Sequence, residues 1–268
     1  MFPQGLQAGE VVWQQFSRWK LPEAREVPSW FPTHKPVSLS HLFKGFVRRW
    51  DDMAWQSPLI NAISWYVEAN ASRTVLEPRI ILAQVALDLL AWVHVVATER
   101  IHSRADFKRL SAAGRIRVLL NQIGVPTIIP DYFTLLPSLT KGDAFDGPGV
   151  STRIRNYLLH SSEDSRESMG AVTGPHLAEC SQLTLQYVEL ALLAICDHDG
   201  HYARRGWQGW KGDDEVLVPL SLPGCKPLGR PETATPPISE GDPVHRVSRG
   251  VRLFRRGVSP VQRREAVF

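Results

Sequence analysis

Cysteine is scarce in this 268-residue sequence: Cys180, Cys196 and Cys225 make an odd count with no CxxC pair. A disulfide-framed miniprotein is excluded, and so few thiols suit a reducing cytosol better than an oxidising compartment. The N-terminus, MFPQGLQAGEVVWQQ, has no basic stretch followed by an apolar one, so no signal peptide is read there. A long, unbroken apolar run is also missing. Ile80 to Thr98 approaches the length of a membrane span, but Gln84, Asp88 and His94 interrupt it. A charged residue at a bilayer centre costs roughly 2.5–3.5 kcal/mol on insertion scales, so a buried core helix is the cheaper reading. P-loop, G-x-G-x-x-G, G-x-S-x-G and H-E-x-x-H patterns do not occur, and there are no internal repeats.

What is present is ordinary globular material, 43% hydrophobic and 22% charged. The formal charge of +4 is unevenly placed. Residues 221–268 hold 9 Lys/Arg against 4 Asp/Glu, whereas the preceding 220 residues hold 22 against 23. The excess positive charge therefore belongs to the C-terminal stretch, and overall basicity is no argument for nucleic-acid binding by the core. That stretch carries 7 prolines in 48 residues and no sustained apolar period. It reads as a disordered basic tail. Its arginines, from Arg246 to Arg264, are solvated or make non-specific phosphate contacts.

Residues 1–45 read as an irregular leader, punctuated by Pro3, Pro22, Pro28, Pro32 and Pro36, with one short strand candidate at Glu10–Phe16. Helical signals dominate residues 46–220. Ser57-Pro58 reads as a cap and first helical position for LINAISWYVEANAS. Glu77-Pro78 opens RIILAQVALDLLAWVHVVATER, apolar around most of its circumference and so the central helix of a bundle. Ser111 caps AAGRIRVLLNQIG, which Gly124 and Pro126 end. Pro130-Asp131 opens a short helix through YFTLLPSLTK, and a Gly147-Pro148-Gly149 turn leads into VSTRIRNYLLHSS. Gly174-Pro175 starts HLAECSQLTLQYVELALLAICDHD, with Gly200 as its stop. With a single weak strand candidate at Glu215–Val218, the fold class is all-α, a helical bundle.

The segment that carries chemistry is Arg153-Ile154-Arg155-Asn156-Tyr157-Leu158-Leu159-His160. At about 100° per residue, Arg153, Asn156 and His160 share one narrow stripe, and Arg155 points towards the side of Leu159. A guanidinium neutralises phosphate charge and an imidazole moves a proton near neutral pH, so the pair suits phosphoryl chemistry. Two solvated arginines and a half-buried histidine on a core helix would look the same.

Arg155-Asn156-x-x-x-His160 resembles the signature of HEPN domains (higher eukaryotes and prokaryotes nucleotide-binding), an Arg and a polar residue followed by His. ILAQVALDLLA resembles that family's acidic-centred second helix. AISWYVEAN (62–70), IRVLLNQIGVPTIIP (116–130), DGPGVSTRIRNYLLH (146–160) and QYVELALLAICDHDGHYARR (186–205) are similar to the HEPN module of bacterial anti-phage defence proteins of the ApeA type. The resemblance covers roughly residues 45–220. It implies a metal-independent endoribonuclease with no cofactor, its cleft formed where two copies of the domain pair. Arg155 would bind the scissile phosphate, His160 would act as general base or acid, and Asn156 would orient one or the other. Arg153 competes with Arg155 on helical geometry. Asp88, a carboxylate in an apolar helix, is expected to pair with Arg153 or Arg155, or else to lie water-bonded on the helix's least buried face. The implied partners are RNA, tRNA included, a second copy of the chain, and a sensor or antitoxin protein. No membrane is implied, and the location is cytoplasmic. Relatives of this type carry a larger N-terminal region, so the resemblance implies a shortened form. The alternative is a non-catalytic module that dimerises or binds a nucleotide or partner.

Three other groups stand out in the sequence. Cys196-x-His198-x-x-His201 has metal-ligand character, but Cys225 is the only distant fourth ligand, and histidines at a helix C-terminus suit the helix dipole anyway. Tyr202, Arg204 and Arg205 follow and are candidates to flank a dimer cleft. Trp207 and Trp210 would stack on bases or cover core surface.

Overall fold

The computed structural model describes residues 30–32, 35, 37–142, 144–159, 172–206 and 215–218. Among them the chain forms helices α1 (Val37–Trp50), α2 (Met53–Asn70), α3 (Leu76–Ala91), α4 (Arg104–Arg109), α5 (Ala112–Gln122), α6 (Gly147–Leu159) and α7 (Gly174–Ile195). Strands β1 (His201–Ala203) and β2 (Glu215–Leu217) pair antiparallel, with Tyr202 opposite Val216. The all-α expectation holds, and the strand at 215 is there; its partner at 201 carries no strand signal in the sequence. The leader up to residue 29, with its strand candidate at Glu10–Phe16, and the basic tail at 221–268 lie outside the described residues.

Helix α3 is the axis of the bundle, packed on α2, α7, α5 and α6. Ile80, Ala83, Ala86, Leu87, Leu90 and Ala91 are fully buried on several sides of it, which is what its near-uniform apolarity demanded. By length and composition Leu76–Thr98 is apolar enough to cross a membrane. Here it is the core helix around which the others close. Helix α7 buries 14 of its 22 residues, so it too needs polar groups satisfied inside the protein. Thr184 Oγ1 donates to the Cys180 carbonyl (2.7 Å) and Ser181 Oγ to that of Ala178 (2.9 Å), so neither hydroxyl is left unpaired.

Several element boundaries depart from the sequence reading, each for a local reason. Helix α2 begins at Met53, not Pro58, because the Asp52 carboxylate accepts the Ala54 N–H (2.9 Å) and caps it earlier. Pro58 then falls inside the helix, where it removes one backbone bond. The helix after Pro78 is α-helical only to Ala91 and continues as a π-helix over Trp92–Thr98. YFTLLPSLTK is no α-helix. A 3-10 turn at Leu136–Leu139 replaces it, since Glu179 Oε2 takes the N–H groups of Leu135 and Leu136 (2.9 and 3.0 Å). The Gly147-Pro148-Gly149 turn is the first turn of α6 itself, capped by Asp146 Oδ1 accepting from the Gly149 N–H (2.9 Å). Gly147 packs so tightly on the Tyr187 hydroxyl that no Cβ fits. Helix α7 stops at Ile195, and Asp197, at φ 50°, turns the chain before Gly200 is reached. Helix α5 is as read, with Ser111 accepting from Gly114 and Gly124 at φ 73°.

The helical body also starts before residue 46. Helix α1 begins at Val37, packs on α2 and α7, and brings Gly45 against the Cys196 carbonyl. Leu87, fully buried in α3, has neighbours on every side. Leu87→Ala is expected to lower the unfolding free energy by about 3 kcal/mol, read as a lower midpoint in urea with unchanged slope.

Candidate active site on helix α6

Helix α6 is held at its start by a bidentate ion pair. Arg117 of α5 meets the Asp146 carboxylate through Nε (2.7 Å) and Nη2 (2.9 Å), and Asp146 is 3% exposed. The same carboxylate caps the helix, so one side chain joins α5 to α6 and satisfies an orphan N–H. Val150, Ser151, Thr152 and Ile154 are then buried, and the Arg155–Asn156 pair emerges half-exposed beyond them.

The structure separates the two candidate arginines. Arg153 Nη1 donates to the Leu139 carbonyl (2.9 Å) and Nη2 to that of Lys141, so this guanidinium closes the end of the 3-10 turn. Arg155 Nη1 donates to Asn156 Oδ1 (3.0 Å), and its buried Nε has no hydrogen-bond partner among the described residues. Arg155 and Asn156 are thus brought together, with part of the guanidinium uncommitted. His160 lies outside the described residues.

Asp88 does not pair with Arg153 or Arg155. It meets Arg115 of α5 at 3.3 Å, with side-chain exposures of 48% and 27%. An exposed pair of this kind contributes about 0–1 kcal/mol. The reason lies in the helix face: Asp88 looks towards α5 and the solvent, so of the two sequence readings the less buried position is nearer the mark.

A second polar cluster escaped the sequence reading. Glu189, in the middle of α7 and 2% exposed, pairs with Arg205 (6% exposed) at 2.6 Å. Arg205 Nη2 also donates to Asn70 Oδ1 (2.7 Å) and Nη1 to Gln182 Oε1 (3.2 Å). Tyr66 donates to Glu189 Oε1 (2.6 Å) and Tyr202 to Oε2 (2.8 Å). Burial works against the Arg205 charge, but the neighbouring carboxylate outweighs it and lifts the guanidinium pKa above its usual value. Burial, then Glu189, pushes the Tyr66 and Tyr202 phenols far up, so both stay protonated donors. Tyr202 and Arg205 are therefore interior groups and flank no exposed cleft; Arg204 is half-exposed over the Tyr132 ring (5.8 Å). The sequence signal was present in QYVELALLA, a carboxylate inside an apolar helix, as legible as the one at Asp88.

Among the described residues no group of His, Cys, Asp and Glu is placed to hold a metal ion. Cys196 and His198 are buried, and His198 rests edge-on against Trp30 (5.4 Å). Burial pushes the Cys196 thiol up to about 11 and Cys180 to about 12.

Removing Glu189 alone strands a buried cation, so Glu189→Ala is expected to cost about 3–5 kcal/mol in denaturant titrations. Glu189→Leu combined with Arg205→Met should recover part of that loss, the remainder being the Tyr66 and Tyr202 hydroxyls left without their acceptor. Burial lowers the pKa of His94 and of His198. Both are neutral in the fold, whereas the unfolded chain takes up protons below about 6.5. The stability they contribute is present above that value and lost as pH falls through the lower folded pKa. Urea midpoints at a series of pH values should decline on the acid side, less steeply in His94→Gln.

Residues 52–215 match the family described as the YopA C-terminal domain. The chain is similar to a curated protein of Bacillus subtilis (strain 168), described as the SPbeta prophage-derived uncharacterized protein YopA, at 28% identity over 203 residues. That match takes in 75% of this chain and 44% of the relative, so the chain spans less than half of the relative's length. No solved structure matches.

Proposed function

The chain belongs to the YopA C-terminal domain family, and for this member we propose a metal-independent endoribonuclease of the HEPN type, acting in anti-phage defence or as a toxin. The observation that carries the reading is the division of labour on α6: Arg153 is absorbed by backbone carbonyls, while Arg155 keeps guanidinium donors available beside Asn156. His160 follows four residues after Asn156 in the sequence. The helical bundle is the architecture that the resemblance implies, and the prophage origin of the Bacillus relative suits a role in conflict with phage.

In the reaction, His160 takes the proton of the ribose 2′-hydroxyl as that oxygen attacks the adjacent phosphorus. The bond from phosphorus to the 5′-oxygen breaks, and a proton returns to the leaving oxygen. The products are a 2′,3′-cyclic phosphate and a 5′-hydroxyl. Arg155 binds the phosphate and stabilises its developing charge, and Asn156 fixes the guanidinium it already accepts from. The substrate is RNA, tRNA included, the active form a homodimer and the location cytoplasmic. A sensor or antitoxin protein supplies the control.

A second reading, a non-catalytic module that dimerises or binds a partner, is favoured by the apolar outer face of α1, where Leu39 and Phe43 are more than half exposed. Incubation of labelled single-stranded RNA with the protein in EDTA separates the two. Cleavage to cyclic-phosphate ends is expected, reduced about a hundredfold or more in Arg155→Ala and abolished in His160→Ala. Arg153→Ala should instead lower stability. No cleavage by a folded dimer of the wild type favours the binding module.

A further inference from the structure

A pocket of about 240 Å³ opens between the 125–132 segment, helix α7 and the β1–β2 hairpin, on residues that neither α6 nor the proposed cleavage uses. Its volume is below that of drug-sized sites, which hold about 300–1,000 Å³, and suits one ring with a substituent. Most of the wall is apolar or aromatic. Each of its three tyrosines has its hydroxyl directed at protein: Tyr132 to Gln186, Tyr187 to the Thr127 carbonyl (3.4 Å) and Tyr202 to Glu189. Tyr187 and Tyr202 are 1% and 0% exposed, so the ring surface open to a ligand is that of the half-exposed Tyr132.

Polar recognition falls to Gln186 and Arg204. Gln186 is 4% exposed and stands in the middle of an apolar helix, an expensive place for an amide. Its Oε1 accepts from Tyr132 Oη (3.0 Å), and that bond fixes which end of the amide is which. The Nε2 end meets no acceptor among the described residues, yet it is not sealed from solvent, and the residue lines the pocket. Arg204, at the same wall, brings a guanidinium over the Tyr132 ring. Both groups donate, so the complementary ligand presents acceptor oxygens on a flat apolar body. The single carboxylate in the lining, Asp131, is exposed and faces water, and it disfavours a ligand of higher negative charge.

We propose that this pocket binds a small aromatic carboxylate, its ring laid against Tyr132 and the apolar wall and its oxygens held by Gln186 and Arg204. Specificity follows from the donors: a neutral ring forfeits the charge-assisted bond, and a cationic ring is repelled by Arg204, the one carboxylate of the lining, Asp131, being exposed to water.

Calorimetric titration of the full chain with benzoate and with 4-hydroxybenzoate tests this, with benzylamine as the cationic control. Saturable binding with Kd below about 1 mM is expected for at least one of the two acids, and none for benzylamine. Gln186→Glu keeps the Tyr132 contact and the side-chain shape while replacing the donor with a negative charge; affinity should fall about tenfold or more. Arg204→Gln should do the same. Ile128→Trp, at a position 73% exposed on the rim, should block entry without touching the core. Absence of saturable binding by both acids overturns the proposal. So does equal binding of benzylamine, or unchanged affinity in Arg204→Gln and Ile128→Trp shown to be folded by circular dichroism.

Discussion

A carboxylate in the middle of an apolar helix has to be neutralised, and the answer to Glu189 organises much of this protein. Its charge partner comes from beyond the end of α7, where Asp197 reverses the chain and the β1 strand and the residues just after it carry Tyr202 and Arg205 back to the helix. Tyr66 and Asn70 of α2 complete the shell. One buried pair thus ties α2, α7 and the hairpin into a single arrangement. It is weak evidence for stability as such, since a hydrophobic replacement of similar size often does as well. Its consequence is directional: any other register of α7 leaves a buried ion without its counter-ion.

A comparable device governs α6. Asp146 serves Arg117 and the first turn of the helix together, so the position of α6 relative to α5 is set at its N-terminal end. Arg155 and Asn156 lie at the opposite end, after the buried positions Val150, Ser151, Thr152 and Ile154. Rigid support followed by a half-exposed pair of polar side chains is what a preorganised site requires.

Much of this was legible in the sequence, for reasons that differ between elements. The axial helix was readable because apolar residues all round its circumference have only one stable location. Ser111 marks a helix start through a local hydrogen bond, and local chemistry is what sequence patterns record. Where distant groups decide, the reading departed from the structure. Glu179 unwound the 131–140 segment from 43 or 44 residues away, Leu139 and Lys141 claimed Arg153, and Arg115 claimed Asp88. The choice between Arg153 and Arg155, open on periodicity alone, turns on which carbonyls lie nearby.

The π-helical stretch at Trp92–Thr98 has a consequence for comparing relatives. Its backbone bonds reach back five residues, as in Glu99 N–H to the His94 carbonyl (2.9 Å), so each turn holds one residue more than an α-helix of equal span. A relative lacking one residue here would run as plain α-helix and still deliver its chain to the same point at the start of α4. A single-residue gap in such a relative would therefore fall within 92–98, and side chains on its two flanks would correspond by position in space, not by count along the chain.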